Sequence, residues 1–229
     1  MSQASAAQTL TDQADKPSGG LRERKKQLMR QQLSDTATRL FMEYGFDAVR
    51  VADVAEECGV SEATVFNYFQ TKEALVLDRL EETMASLPAG LASPDVAPTE
   101  AALRMLAQEL AHMTDLLASS DNPRSAAKAV LRFGDLIRAT PSLRAYQSDM
   151  MEQFVSVATG ILATRAGLAL DDPEPQIAAR ALLGLWHVQY QSLRKHLLDT
   201  PLDQIQKKVT TDVRRAAHLI GVGLDSLGT

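Results

Sequence analysis

The chain has 229 residues, one cysteine, 45% hydrophobic residues and a formal net charge of −5. A lone cysteine excludes an internal disulfide, no apolar run nears the roughly 20 residues that span a bilayer, and the start lacks the basic-then-apolar pattern of a secretory leader. A cytoplasmic protein with one small and one medium domain is expected, and its net acidity conceals a local basic run of Arg22, Arg24, Lys25, Lys26 and Arg30 against Glu23.

Residues 1–21 are small and polar, with Pro17 and Gly19-Gly20 near their end, and are expected to form a disordered tail. A first helix is predicted from about Glu23 to Tyr44, because Leu33, Ala37, Leu40, Phe41 and Tyr44 recur at helical spacing before Gly45. A second runs from Val51 to Cys58, with Val51, Val54 and Ala55 turned inward. Gly59 then ends that helix and Ser61 caps the next, which reaches Phe69 after only about two turns. A helix that stops at glycine and restarts at a capping serine is a helix-turn-helix, and one this short suits a DNA groove better than a core. Val65 and Phe69 anchor it, leaving Glu62, Ala63, Phe66 and Asn67 on the outward face. The basic run just before this motif is therefore read as a phosphate-contacting patch.

A fourth helix is predicted from after Thr71 to about Ser86. Residues 87–99, with Pro88, Gly90, Pro94 and Pro98, read as a loop. Helices follow over 100–119, from the Asn122-Pro123 cap to about Ala139, from Pro141 to about Ala166, from near Pro173 to Leu198, and from Leu202 onward. The fold class is all-α with about nine helices. Residues 22–82 are expected to form the helix-turn-helix domain and residues 83–229 a second, helical domain, which the family resemblance described below implies is a ligand-binding and dimerisation domain. From Ile177 to Tyr190 the chain is apolar nearly all round. The last helix keeps an apolar stripe through Leu202, Ile205, Val209, Val213, Ala216, Ile220, Leu224 and Leu227. Such faces must be covered. Ordinary packing within the chain would cover them, but a four-helix dimer seam is the preferred reading.

Residues 22–80 resemble the TetR family of transcriptional regulators. The likeness rests on Leu40-Phe41-Met42-Glu43-Tyr44-Gly45-Phe46, Val51-Ala52-Asp53-Val54-Ala55, the run from Gly59-Val60-Ser61 to Phe69, and Thr71-Lys72-Glu73-Ala74-Leu75. The resemblance implies a homodimeric, ligand-released DNA-binding repressor. By position it implies base readers at Glu62, Ala63, Thr64 and Asn67, within a DNA-contacting set that includes Ser61, and backbone contacts at Tyr68 and Lys72. Two departures stand out. Phe66 replaces a common tyrosine, which trades a phosphate contact for a thymine-methyl contact. Val49 and Arg50 replace the usual hydroxyl residues, so the second helix lacks its ordinary cap and Arg50 becomes a phosphate candidate.

For a small, largely apolar effector, the adaptable and flat side chains Met105, Phe133, Tyr146, Met150, Phe154, Trp186 and Tyr190 are the pocket candidates. His112 is included to fix orientation, with Glu109, His187 and Gln189 as further polar candidates. The implied partners are an inverted-repeat DNA duplex, a small-molecule effector and a second copy of the chain, with no membrane and no cofactor or metal. An enzyme is not expected. Glu109-x-x-His112 has the spacing of a metal half-site but no second copy exists, and neither a phosphate-binding glycine loop nor a nucleophile elbow occurs. The alternative function is a helical protein–protein adaptor that retains the motif without specific DNA binding.

Overall fold

A computed structural model describes residues 20–78 and 86–222. Of the expected tail over residues 1–21, Gly20 and Leu21 instead open α1 and residues 1–19 lie outside the described residues, as do the domain boundary at 82–83 and Leu224 and Leu227; Ser86, the expected end of the fourth helix, is instead the residue that precedes α5. Among those described the fold is all-α. The helices are α1 (Gly20–Tyr44), α2 (Val51–Glu57), α3 (Glu62–Tyr68), α4 (described over residues 74–78), α5 (Leu87–Ala92), α6 (Pro98–Ala118), α7 (Pro123–Ala139), α8 (Pro141–Ala166), α9 (Pro173–His196) and α10 (Leu202–Val222).

Most boundaries follow local chemistry. The Asn122 side chain accepts from the Ser125 backbone N–H at 3.0 Å, with Pro123 opening α7. The Thr71 hydroxyl likewise accepts from the Ala74 N–H at 3.2 Å ahead of α4. The expected loop over 87–99 is partly wrong, since its first half is α5. Pro88 sits in the first turn, where a missing N–H costs nothing, and Leu87 and Leu91, four apart, are both fully buried. Arg165 of α8 holds the exit of α5 by donating to the carbonyls of Leu91, Ser93 and Val96.

Two hydrophobic cores result. The first joins α1 (Leu33, Ala37, Phe41), Phe46, Val54, Val65, Phe69 and α4, and it also takes Ile137 of α7 and Leu143 and Met150 of α8. The second fills the space between α5, α6, α8, α9 and α10. Here the seam residues named from sequence are corrected. Ile205, Val209 and Val213 are at most 2% exposed and Leu185 is 1% exposed within the single chain. The apolar stripe of α10 packs on α9 and α6 of its own protomer. Periodicity identifies an apolar face but not what covers it.

Candidate nucleic-acid interface

The turn between α2 and α3 is set by Gly59, whose φ of 68° lies in the left-handed region that L side chains disfavour. Ser61 then starts α3. Its hydroxyl oxygen accepts from the Thr64 N–H at 3.1 Å and lies 2.8 Å from the Thr64 hydroxyl. Val65 and Phe69, 1% and 2% exposed, pin the helix to the first core. Glu62, Ala63, Phe66 and Asn67 are exposed, as helical spacing requires. Among the described residues none of these four makes a side-chain hydrogen bond or ion pair. Thr64 differs from them: it is half-buried, with its hydroxyl held by Ser61.

The residues around α3 are more committed than their sequence suggests. Arg30, grouped with the phosphate patch, is instead an internal tie. Its Nε donates to Asp78 Oδ1 at 2.6 Å and its Nη1 to the Tyr68 carbonyl at 2.8 Å, while the guanidinium lies 4.5 Å from the Phe69 ring centre. Asp78 is 3% exposed, so a cation is needed beside it. Charge composition could not reveal a partner 48 residues away. Tyr68 is half-buried at the same junction.

Lys72 Nζ donates to the Phe46 carbonyl at 2.5 Å and sits 4.3 Å from the Phe46 ring centre and 5.5 Å from that of Phe41. Burial lowers its pKa. An ammonium has three donors, so two remain for a phosphate. Arg50 is exposed, and its missing hydroxyl cap is replaced from the other side. The Asp53 carboxylate accepts from the Arg50 backbone N–H at 2.7 Å and from its guanidinium at 2.9 Å, which holds the carboxyl below its ordinary value.

The effector candidates do not gather at one cavity. Phe133, Tyr146 and Phe154 pack against the first core and Met150 is part of it, with Phe154 also touching the second. These four line the junction between the domains. Met105 is half-buried on the second core. Trp186 is 8% exposed and its indole N–H donates to Glu109 at 3.0 Å. Burial raises the Glu109 pKa, an effect the indole partly offsets. Tyr190 places its hydroxyl where a side chain at Gly134 would stand, so α7 and α9 approach closely there. His112 is exposed, which corrects its expected place inside an apolar cavity. Two concavities measure about 20 Å³ and about 360 Å³, and of the effector candidates only Gln189 lines one of them, the smaller. The larger lies between the start of α7 and Leu197–Leu202. Sequence reasoning also missed Arg132, whose guanidinium donates to the Met42 carbonyl at 3.2 Å and ties α7 to α1.

Among the described residues no cluster of His, Cys, Asp or Glu is suited to a metal, and no helix is long and apolar enough to cross a membrane.

Comparison with known proteins agrees with this geometry. The family model for bacterial regulatory proteins of the tetR family matches residues 33–78, and that for the MftR C-terminal domain matches residues 131–214. MftR of Mycobacterium tuberculosis (strain ATCC 25618 / H37Rv), named for mycofactocin biosynthesis, is 28% identical over 197 residues, covering 85% of this chain and 90% of its own. The helix-turn-helix regulator TcmR of Streptomyces glaucescens is 26% identical over 212 residues, covering 87% and 92%. Among solved structures, NalD of Pseudomonas aeruginosa, the secondary repressor of the MexAB-OprM multidrug efflux pump, shares the fold. Its TM-score is 0.51 at 19% identity, over 83% of this chain and 97% of that one. The chain belongs to the TetR family of DNA-binding transcriptional regulators.

Proposed function

We propose that this regulator is a repressor that binds an inverted-repeat operator as a homodimer and is released by a small, largely apolar effector. The observation that carries the reading is the outward face of α3, where four side chains without internal partners stand on a rigidly capped and anchored helix. Asn67 suits a bidentate contact to adenine and Glu62 suits a cytosine amino group, while Ala63, Phe66 and the Thr64 methyl suit thymine methyls. Ser61 holds the helix start near the duplex. Arg50, Tyr68 and Lys72 supply backbone contacts, Lys72 with the donors that Phe46 leaves over.

Two-fold DNA needs a two-fold protein. With Ile205, Val209 and Val213 of the α10 stripe buried inside the chain, the dimer reading moves to the outer face of α9. There Ile177, Ala181, Gly184, Val188 and Gln191 repeat at spacings of four and three. Ile177 is 66% exposed, Gly184 is exposed, and Ala181 and Val188 are half-buried. Small residues at the middle of that stripe allow two helices to approach closely.

The effector reading rests on the domain junction. A ligand that repositions α7 or α8 also moves Phe133, Ile137, Tyr146, Met150 and Phe154, which close the DNA-binding core. The likeness to MftR along most of both chains supports placing mycofactocin biosynthesis first among the processes it controls.

Selection of bound duplexes from a random pool tests the reading. The expected product is an inverted repeat bound by a dimer. Asn67→Ala should then cost about 1–3 kcal/mol at one base pair of each half-site, whereas Lys72→Ala should weaken binding to all duplexes alike. Recovery of no common sequence, or a monomer at all concentrations, overturns it.

A further inference from the structure

Gln189 of α9 is 7% exposed, and among the described residues its amide makes no hydrogen bond. Burying an amide without a partner is destabilising, and native chains rarely tolerate it. Among the described residues no fully enclosed side-chain nitrogen or oxygen lacks a partner. The Gln189 amide therefore opens onto space that a water-sized body reaches. That space is the smaller cavity, of about 20 Å³, which Gln189 lines.

The cavity lies where α6, α9 and α10 pack together. Leu103, Leu106, Ala107 and Val213 give it apolar walls, and its other polar lining residues are Thr210 and Arg214 of α10. These two are four apart and share a helix face. Among the described residues neither side chain has a hydrogen bond or ion pair. Their neighbours differ: the Thr211 hydroxyl donates to the Lys207 carbonyl, and Arg215 pairs with Asp212. Three polar groups without partners, on two helices, thus border one cavity.

Their chemistry selects the occupant. The amide N–H, the hydroxyl and the guanidinium are all donors, and no carboxylate lines the cavity. Arg214 repels a cation, and a neutral water would use the donors but not the charge. One water needs about 10–15 Å³, so about 20 Å³ admits a single body of slightly larger size. A phosphate or sulfate is too large.

We propose that Gln189, Thr210 and Arg214 form a binding site for a small, singly charged anion, either a free halide or the carboxylate end of an organic acid. Bound there, the anion joins α9 to α10 beside α6, and the stability of the C-terminal domain depends on its concentration. The proposal is independent of operator recognition, and a chain that selects no DNA would leave it standing.

The test is thermal unfolding of the full chain at constant ionic strength, with sodium chloride or sodium acetate replacing sodium isethionate, whose sulfonate is too large for the cavity. Chloride at ten times its dissociation constant should raise Tm by about 3–6 °C, in a saturable manner. An equal rise with acetate extends the site to organic acids, and a rise with chloride alone assigns it to the free halide. Arg214→Gln and Thr210→Val should keep the Tm of the wild type in isethionate and lose most of the rise. Gln189→Met, of similar volume, should lose it too. Crystals grown with bromide should show an anomalous peak among the three side chains. No rise with either anion, an equal rise in Arg214→Gln and Thr210→Val, or a cavity holding water alone in bromide overturns the site.

Discussion

The two hydrophobic cores of this chain are closed in different ways. The C-terminal core is filled by its own helices, α10 lying over α9 and α6. The DNA-binding core borrows Ile137, Leu143 and Met150 from helices that begin 45 and 63 residues after α4 is last described. A small domain of about 60 residues buries a modest core by itself, and the borrowed side chains complete it. The stability of the reading head is thereby tied to the placement of α7 and α8. That is the physical condition for an effector domain to influence DNA binding at all.

The largest effect expected is on the self-contained core. Val213→Glu places an unpaired carboxylate where 2% of the residue is exposed, at a cost on the order of 4 kcal/mol or more. Thermal unfolding should show loss of the folded chain rather than separation of folded protomers. By contrast, Ile177→Asp on the outer face of α9 should separate protomers at nearly unchanged helicity, read by sizing and circular dichroism. Ile137→Ala probes the borrowed closure. It should destabilise by about 2–4 kcal/mol, and hydrogen exchange should show the loss in α1 and α3 as well as in α7. Protection lost only in α7 would break the comparison.

A smaller effect is expected at the cap of α3. Ser61→Ala removes the acceptor for the Thr64 N–H, costing about 1 kcal/mol, and should lower operator affinity through fraying of the reading helix. The smallest is in the C-terminal core. Glu109 has a pKa raised from its ordinary 4.5 by burial, so above that pH the folded state holds the proton more tightly than the unfolded state. Stability then declines as pH rises from 4.5 through the raised value. Glu109→Gln keeps an oxygen for the Trp186 N–H and lacks this decline. The variant's Tm should gain on the wild type as pH goes from 4 to 7, and a difference that does not change with pH would contradict this.

Elements governed by neighbours in sequence were legible from the sequence. Asn122-Pro123 opens α7, Gly59 and Ser61 frame the turn, and Val65 with Phe69 fixes which face of α3 looks outward. What depended on distant partners was not. Leu87 and Leu91 make a helix in a proline-rich stretch because α6 and α8 bury them. Phe133, Tyr146, Met150 and Phe154 have pocket-like chemistry but serve a domain junction. Arg30 read as a phosphate contact, yet it is held by Asp78, a partner 48 residues away.

On α3, the residues that hold the helix and those that face outward are separate sets. Ser61, Val65 and Phe69 fix its position, and substitutions at Glu62, Ala63, Phe66 and Asn67 disturb no internal bond. Exposed changes of that kind usually shift stability by no more than about 0.5 kcal/mol. If that outward face reads bases as proposed above, a lineage carrying this scaffold can acquire new operators by altering four surface positions, without compensating changes in the core. A duplicated copy can leave its parent's targets while remaining equally well folded.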